Sequence, residues 1–159
     1  DAVAWTHRHV AQHGGDPSRL TVSGHSAGAH LTAAALAEDW PARGLPADIV
    51  SRAVLISGIF DPAPAIGTSV NAEIGLTPEL AARHDFERIA PRILCPCWVI
   101  VGGREPWHWI DQSFRYAQHL RRHGGDPGVL VIPGRHHFDI LDLVRDEARG
   151  LGRIMRARP

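Results

Sequence analysis

Lysine is missing from this 159-residue sequence: all 17 basic side chains are arginine, which reads as a compositional bias of the source genome rather than a function. Cysteine is almost missing, with only Cys95 and Cys97 on either side of one proline. That spacing fits neither a zinc knuckle nor a thioredoxin-type pair. Two thiols make no disulfide framework, so a reducing cytoplasm is the expected compartment. Net charge is absent too: 17 basic against 17 acidic groups leave no electrostatic reason to expect nucleic acid or an anionic membrane as partner. No apolar run approaches the roughly 20 residues of a membrane span. The start lacks the charged, apolar, small-residue order of a signal peptide. Methionine occurs once, at Met155, so position 1 is not a translation start as written. Asp1 reads as a helix N-cap ahead of Ala2-Val3-Ala4-Trp5, and the sequence is expected to be a piece of a longer protein.

What is present is apolar material, 44% of the residues, enough for one sizeable core in a chain too short for two ordinary domains. Residues 1–159 are therefore read as one domain or part of one. The order alternates helix and strand. Ala2 to His13 reads as a helix stopped by Gly14-Gly15, and Leu20 to Ser23 as a short strand ending in Gly24. Ala27 to Glu38 reads as a helix, and Arg52 to Ser57 as a second strand. The stretch from Phe60 to Pro96 holds five prolines and is read as irregular, with two short helices, one opening at Thr77-Pro78-Glu79. Cys97 to Val101 is a third strand, Ile110 to His123 a helix, Val129 to Ile132 a fourth strand and Phe138 to Arg156 a last helix. Gly-Gly-Asp-Pro occurs at 14–17 and 124–127, each time between a helix and a strand, and is read as one joint used twice. Short, continuous, apolar strands between helices predict an α/β fold, with a parallel sheet of about four strands covered on both faces.

One pentapeptide carries chemistry. Gly24-His25-Ser26-Ala27-Gly28 is a Gly-x-Ser-x-Gly sequence that follows a strand and opens a helix, the context in which a serine is lifted exposed above a sheet. The helix start behind it points the Ala27 N–H and a favourable dipole at the place where an oxyanion would form. A serine hydroxyl needs a base, and the base needs an orienting acid. The fourth strand is followed by Gly134-Arg135-His136-His137-Phe138 and the third by Gly102-Gly103-Arg104-Glu105, so both kinds of group emerge at the sheet edge that carries Ser26. Asp61, just past the second strand, is the alternative acid, with Asp111 a third choice; Asp61 is otherwise expected to cap the Pro62-Ala63-Pro64 turn. His30 is assigned to helix packing, and His25 to the lining of a substrate pocket. Trp107 and Trp109 are read in a loop beside the site, as an aromatic wall for a substrate ring or as ordinary packing. Ser69 and Asn71 lie where a lid would sit, and Cys95 and Cys97 read as buried or structural. Eleven histidines raise the question of a metal. The adjacent pair His136-His137 is poorly spaced for two ligands and no His-Glu-x-x-His occurs, so neither a metal nor another cofactor is expected.

These motifs give the chain a resemblance to the α/β-hydrolases, and specifically to the kynurenine formamidase (arylformamidase) group and its esterase relatives. The residues that carry it are 24–31 (Gly-His-Ser-Ala-Gly-Ala-His-Leu), 56–61 (Ile-Ser-Gly-Ile-Phe-Asp), Thr68 to Asn71 with Gly75-Leu76-Thr77, and His137-Phe138-Asp139-Ile140. The resemblance implies Ser26 as nucleophile, His137 rather than His136 as base, Ala27 as an oxyanion donor, and Glu105 as acid, where the family more often has aspartate. It implies hydrolysis of an N-formyl aryl amine such as N-formylkynurenine, a step of tryptophan catabolism, without a cofactor. Small acyl or aryl esters are the alternative, and an inactive fragment is a third reading. The expected partner is a small-molecule substrate, and homodimerisation is left open. Such enzymes carry a His-Gly-Gly loop well ahead of the nucleophile. His13-Gly14-Gly15 is not that loop, because it caps a helix directly before the nucleophile strand. The chain thus resembles the C-terminal half of the fold and is expected to lack its N-terminal strands.

Overall fold

The computed structural model describes residues 1–145 and 150–152. Four strands, β1 (Thr21–His25), β2 (Arg52–Ile56), β3 (Cys97–Gly102) and β4 (Gly128–Ile132), form one sheet in the order β1-β2-β3-β4, and every neighbouring pair is parallel. Helices accompany them, among the described residues α1 (Ala2–His9), α2 (Ala27–Ala37), α3 (Asn71–Ile74), α4 (Pro78–Arg83), α5 (Trp107–Arg122) and α6 (Asp142–Arg145). No helix among the described residues is long and apolar enough to cross a membrane.

Strand alternation sorts the side chains onto two faces. Ala53, Leu55, Cys97 and Val99 point to one face and pack with Ala29, Ala33 and Leu36 of α2, with Tyr116, Ala117 and Leu120 of α5, and with Ala4 of α1. Val54, Ile56 and Ile100 point to the other, where Ile140 and Leu151 cover them. The uneven covering comes from topology. Parallel strands laid down in chain order with crossovers of one hand send their helices to the same side, so the opposite face is covered by the chain beyond β4. Alanines at 29 and 33 let α2 approach the sheet closely, and Tyr116 stacks on Phe60 with ring centroids 4.0 Å apart. β1, which has one sheet neighbour among the described residues, is more exposed than the central strand β2.

Local signals explain most boundaries. In both Gly-Gly-Asp-Pro joints the first glycine takes a positive φ, 78° at Gly14 and 92° at Gly124. The second glycine donates back to the carbonyl five residues earlier, Val10 and Leu120. That is the glycine-terminated helix end expected from the repeated tetrapeptide. The first helix is shorter than expected, its end tightening into a 3-10 turn over Val10–His13 before Gly14. Asp1 sits at the N-cap of α1 but makes no side-chain cap bond, because its carboxylate pairs with Arg43 instead. Thr77 does cap α4, accepting from Leu80 N at 3.2 Å ahead of Pro78. The expected final helix, Phe138 to Arg156, is interrupted: a 3-10 turn over Asp139–Leu141 precedes α6, and most of the remainder lies outside the described residues.

Candidate active site

The site stands at the C-terminal ends of the strands. Its position depends on close backbone approaches that only glycine allows. A Cβ on Gly24 would lie 2.0 Å from the Gly28 carbonyl oxygen, so β1 runs hard against the first turn of α2. Gly28 itself has open space around it among the described residues, so the two glycines of the pentapeptide differ in what they do. Between them Ser26 has φ 57° and ψ −119°, a strained conformation for a residue with a side chain, held by Ser26 N donating to Ile56 O at 2.9 Å. Ala27 is the first helical residue, so its N–H has no intrahelical acceptor and faces outward at the positive end of α2.

The loops after β3 and β4 are tied to each other. Gly103 N donates to Ile132 O and Arg104 N to Arg135 O, each at 2.8 Å, and a Cβ on Gly102 would lie 2.5 Å from Arg135 O. This clamp sets Glu105 against His137. Glu105 Oε2 lies 2.8 Å from His137 Nδ1, and His137 Nε2 lies 3.0 Å from Ser26 Oγ. The carboxylate accepts only, so Nδ1 carries the proton and Nε2 is left as the acceptor for the serine hydroxyl. The Glu105 side chain is fully buried, while that of His137 is 20% exposed.

The other oxygen of Glu105 is held by two donors, Ser57 Oγ at 2.5 Å and Gly102 N at 2.8 Å. Ser57 is fully buried with φ 49°, and its carbonyl accepts the Trp109 indole N–H at 3.1 Å. The sequence marks Ser57 as the end of the second strand and as part of a resembling segment, with no place in the site. The available signal was topological, since β2 lies between β1 and β3 and the residue after it must fall between Ser26 and Glu105.

The other residues singled out by sequence lie around this row or away from it. Asp61 does not reach His137; its carboxylate caps the turn at Ala63 N at 2.9 Å. Asp111 pairs with Arg115 one helical turn away. His136 is engaged with Asp139, whose Oδ1 accepts from His136 N at 2.7 Å. Trp107 and Trp109 are not in a loop: both belong to the first turn of α5, which begins three residues earlier than the sequence suggested because Pro106 caps it. Trp109 is half-buried with its ring edge-on to His137 at 5.3 Å, whereas Trp107 is 73% exposed. Phe138, 75% exposed, stands perpendicular to His137 at 5.3 Å. His30 packs against Phe86 and donates its Nδ1 proton to Ile59 O, 2.7 Å away, and burial pushes its pKa down. His25 is half-buried with its ring against His137, its pKa lowered chiefly by the same desolvation. Asn71 closes its own turn through Leu76 N at 2.7 Å, and the backbone carbonyl of Ser69 accepts from Ala72 N. Cys95 and Cys97 are free thiols, the second buried. Among the described residues no group of three or more His, Cys, Asp or Glu side chains is arranged to hold a metal ion.

Residues 1–97 match the carboxylesterase family. Kynurenine formamidase of Salmo salar is 33% identical over 135 residues, which cover 81% of this chain and 46% of that protein. Esterase LipQ of Mycobacterium tuberculosis is 52% identical over 162 residues, covering 91% of this chain and 38% of that protein. The chain thus spans about half the length, or less, of these relatives. Among solved structures, a puromycin-hydrolysing peptidase of Mycobacterium tuberculosis superposes with TM-score 0.69 at 26% identity, over 86% of this chain and 21% of that one. A thermostable carboxylesterase from a metagenomic library superposes with TM-score 0.62 at 21% identity, over 87% and 53%.

Proposed function

The chain belongs to the carboxylesterase family and is an α/β-hydrolase of the kynurenine formamidase and esterase kind, and we propose that the protein is a serine hydrolase acting through a covalent acyl-enzyme. Ser26 Oγ attacks the substrate carbonyl while His137 Nε2 takes its proton. Glu105 keeps His137 in the required tautomer and stabilises the imidazolium that forms. The Ala27 N–H donates to the oxyanion, aided by the positive end of α2. His137 then returns the proton to the departing nitrogen or oxygen, and water, activated by the same base, releases the acid. The observation that carries this reading is the unbroken row from Ser26 Oγ through His137, 3.0 Å and 2.8 Å, to a buried carboxylate.

The substrate proposed first is an N-formyl aryl amine such as N-formylkynurenine, released as formate and the free amine. The kynurenine formamidase relatives support it, as does aromatic surface at Trp109 and Phe138 beside the base. The second reading, hydrolysis of small carboxylic esters, is favoured by the 52% identity to an esterase. Turnover of N-formylkynurenine and of p-nitrophenyl acetate, each with wild type and Ser26→Ala, tests both. Loss of the serine removes on the order of 10⁶-fold in kcat when it is the nucleophile. Formamide cleavage far faster than ester cleavage supports the first substrate; ester cleavage alone supports the second. Activity undiminished in Ser26→Ala refutes the mechanism.

A further inference from the structure

We propose that His25 is a positioning residue whose imidazole holds the main chain of the base, so that adjacent residues of one strand end grip both ends of His137. The proposal rests on the reading of Ser26 and His137 as nucleophile and base. His25 Nε2 lies 2.7 Å from the His137 carbonyl oxygen, across 112 positions of sequence. A carbonyl only accepts, so Nε2 carries the proton and donates it. The carbonyls on either side are used inside their own loop: His136 O accepts from Ile140 N at 3.2 Å and Phe138 O from Leu141 N at 3.3 Å. That of His137 instead turns toward β1 and takes the His25 ring.

The arrangement is a closed ring of contacts. Ser26 meets the His137 side chain at 3.0 Å, His25 meets the His137 main chain at 2.7 Å, and Ser26 and His25 are joined by a peptide bond. The loop after β4 is otherwise tied to the loop after β3, through Gly103 N and Arg104 N. That link fixes His137 relative to Glu105 but not relative to Ser26; the His25 bond supplies the second constraint. The ring of His25 stacks obliquely on that of His137, centroids 4.5 Å apart, which limits sideways movement of the base. Its Nε2 is committed to the carbonyl, so that nitrogen is not available to a substrate.

Charge is consistent with a neutral tether. Among the described residues the ionisable groups facing His25 are His137 and Glu105, and burial outweighs both the hydrogen bond to the His137 carbonyl and the pull of the Glu105 carboxylate, favouring the neutral ring. A proton arriving on His137 during the reaction reinforces that, because like charges at this spacing repel.

The test uses the full-length protein and compares His25→Phe and His25→Met, which fill the space without a donor, with His25→Gln, whose amide can reach the same carbonyl. Ser26→Ala is run beside them, with p-nitrophenyl acetate and N-formylkynurenine as substrates. The expected result is a kcat lowered tenfold or more in Phe and Met with KM within twofold, and recovery of most of that loss in Gln. The loss should hold from about pH 6 to about pH 9, since it comes from placement rather than titration. If the apolar variants do not fold, His25→Asn, one methylene short of the carbonyl, replaces them and should be slower than Gln. Apolar variants within twofold of wild type overturn the proposal. So does a Gln variant as slow as Phe, an Asn variant equal to Gln, or a loss confined to acid pH. Ser26→Ala with full activity overturns the underlying reading of the site; Ser26→Ala inactive beside a fully active His25→Phe overturns the tether alone.

Discussion

Replacing Glu105 by glutamine tests the chemistry of the site with almost no change of shape. An amide has one accepting and one donating end, and the surroundings decide which end goes where. Oε1 receives two donors, Ser57 Oγ–H and the Gly102 backbone N–H. The Gly102 amide cannot reverse its polarity, so the glutamine oxygen must take that place and the –NH₂ must take the place of Oε2. There it faces His137 Nδ1 at about the wild-type 2.8 Å and donates. The imidazole answers by leaving Nδ1 bare and moving its proton to Nε2, which then presents N–H to Ser26 and can no longer accept the serine proton. The wrong tautomer costs about 10⁴-fold in kcat in a serine–histidine–aspartate site, or about 5.4 kcal/mol of barrier at 1.36 kcal/mol per tenfold. KM should stay within a few-fold, because Glu105 is buried beneath the histidine. The assay is steady-state hydrolysis of p-nitrophenyl acetate, with the rate of Ser26 labelling by a fluorophosphonate as a second readout of nucleophile activation. Both rates should fall together while the melting temperature holds. A Glu105→Gln protein that keeps its kcat within tenfold would show that this carboxylate does not set the histidine tautomer.

Ser57→Ala removes one of the two donors on Glu105 Oε1 but leaves Gly102 N in place, so steady-state kinetics should show kcat down about tenfold, the worth of one buried hydrogen bond to a charged group, with KM unchanged. Gly24→Ala forces a Cβ to 2.0 Å from the Gly28 carbonyl; denaturant unfolding should register a loss of about 3 kcal/mol. The same substitution at Gly28, in open space, should change stability by less than about 1 kcal/mol. Burial lifts the Cys95 thiol to about 11 and the Cys97 thiol higher still. Iodoacetamide should therefore alkylate the native protein at pH 8 about 100-fold more slowly than free cysteine. On the acid side, His30 is held neutral by burial in the fold, so the unfolded chain binds its proton first. Stability should fall as pH drops through about 6.5, and His30→Gln should flatten that slope in a urea titration.

The architecture was legible because its signals are local. Apolar runs at 52–57 and 97–101, glycine-terminated helices and the Thr77-Pro78 cap each act within a few residues, and each lies near where the sequence put it. The pentapeptide was legible for the same reason, since a strand-turn-helix serine is a local object. What escaped depends on contacts between distant segments. Asp1 has the right type and place for a cap, yet Arg43, 42 residues away, takes its carboxylate. Trp107 and Trp109 come after Pro106 and read as a loop, but a proline ahead of a helix is a start signal as well as a break, and α5 packing against the sheet decides between the two. Ser57 and His25 reach partners 48 and 112 positions away. No periodicity records such pairs.

The same sheet explains why those distant contacts converge. Strands laid side by side in chain order, all parallel, bring every strand's C-terminal end to one edge. Ser26, Ser57, Glu105 and His137 come after β1, β2, β3 and β4 in turn, one from each strand. The order of the strands across the sheet is therefore the order of the loops, but the hydrogen-bonded row runs from the first loop to the fourth and back to the third. His137 has to fold back over β2 and β3 to meet Ser26, and the bonds that hold it there are the clamp from the β3 loop and the tether from β1. A histidine suspended between two loops this way is as well placed as the register of the strands beneath. A one-residue slip at any of the three interfaces would displace its strand end by about 3.3 Å, more than the whole tolerance of a hydrogen bond. Activity should consequently be lost earlier than secondary structure when the sheet is loosened by denaturant, and the gap between those two midpoints measures how far the site depends on the sheet.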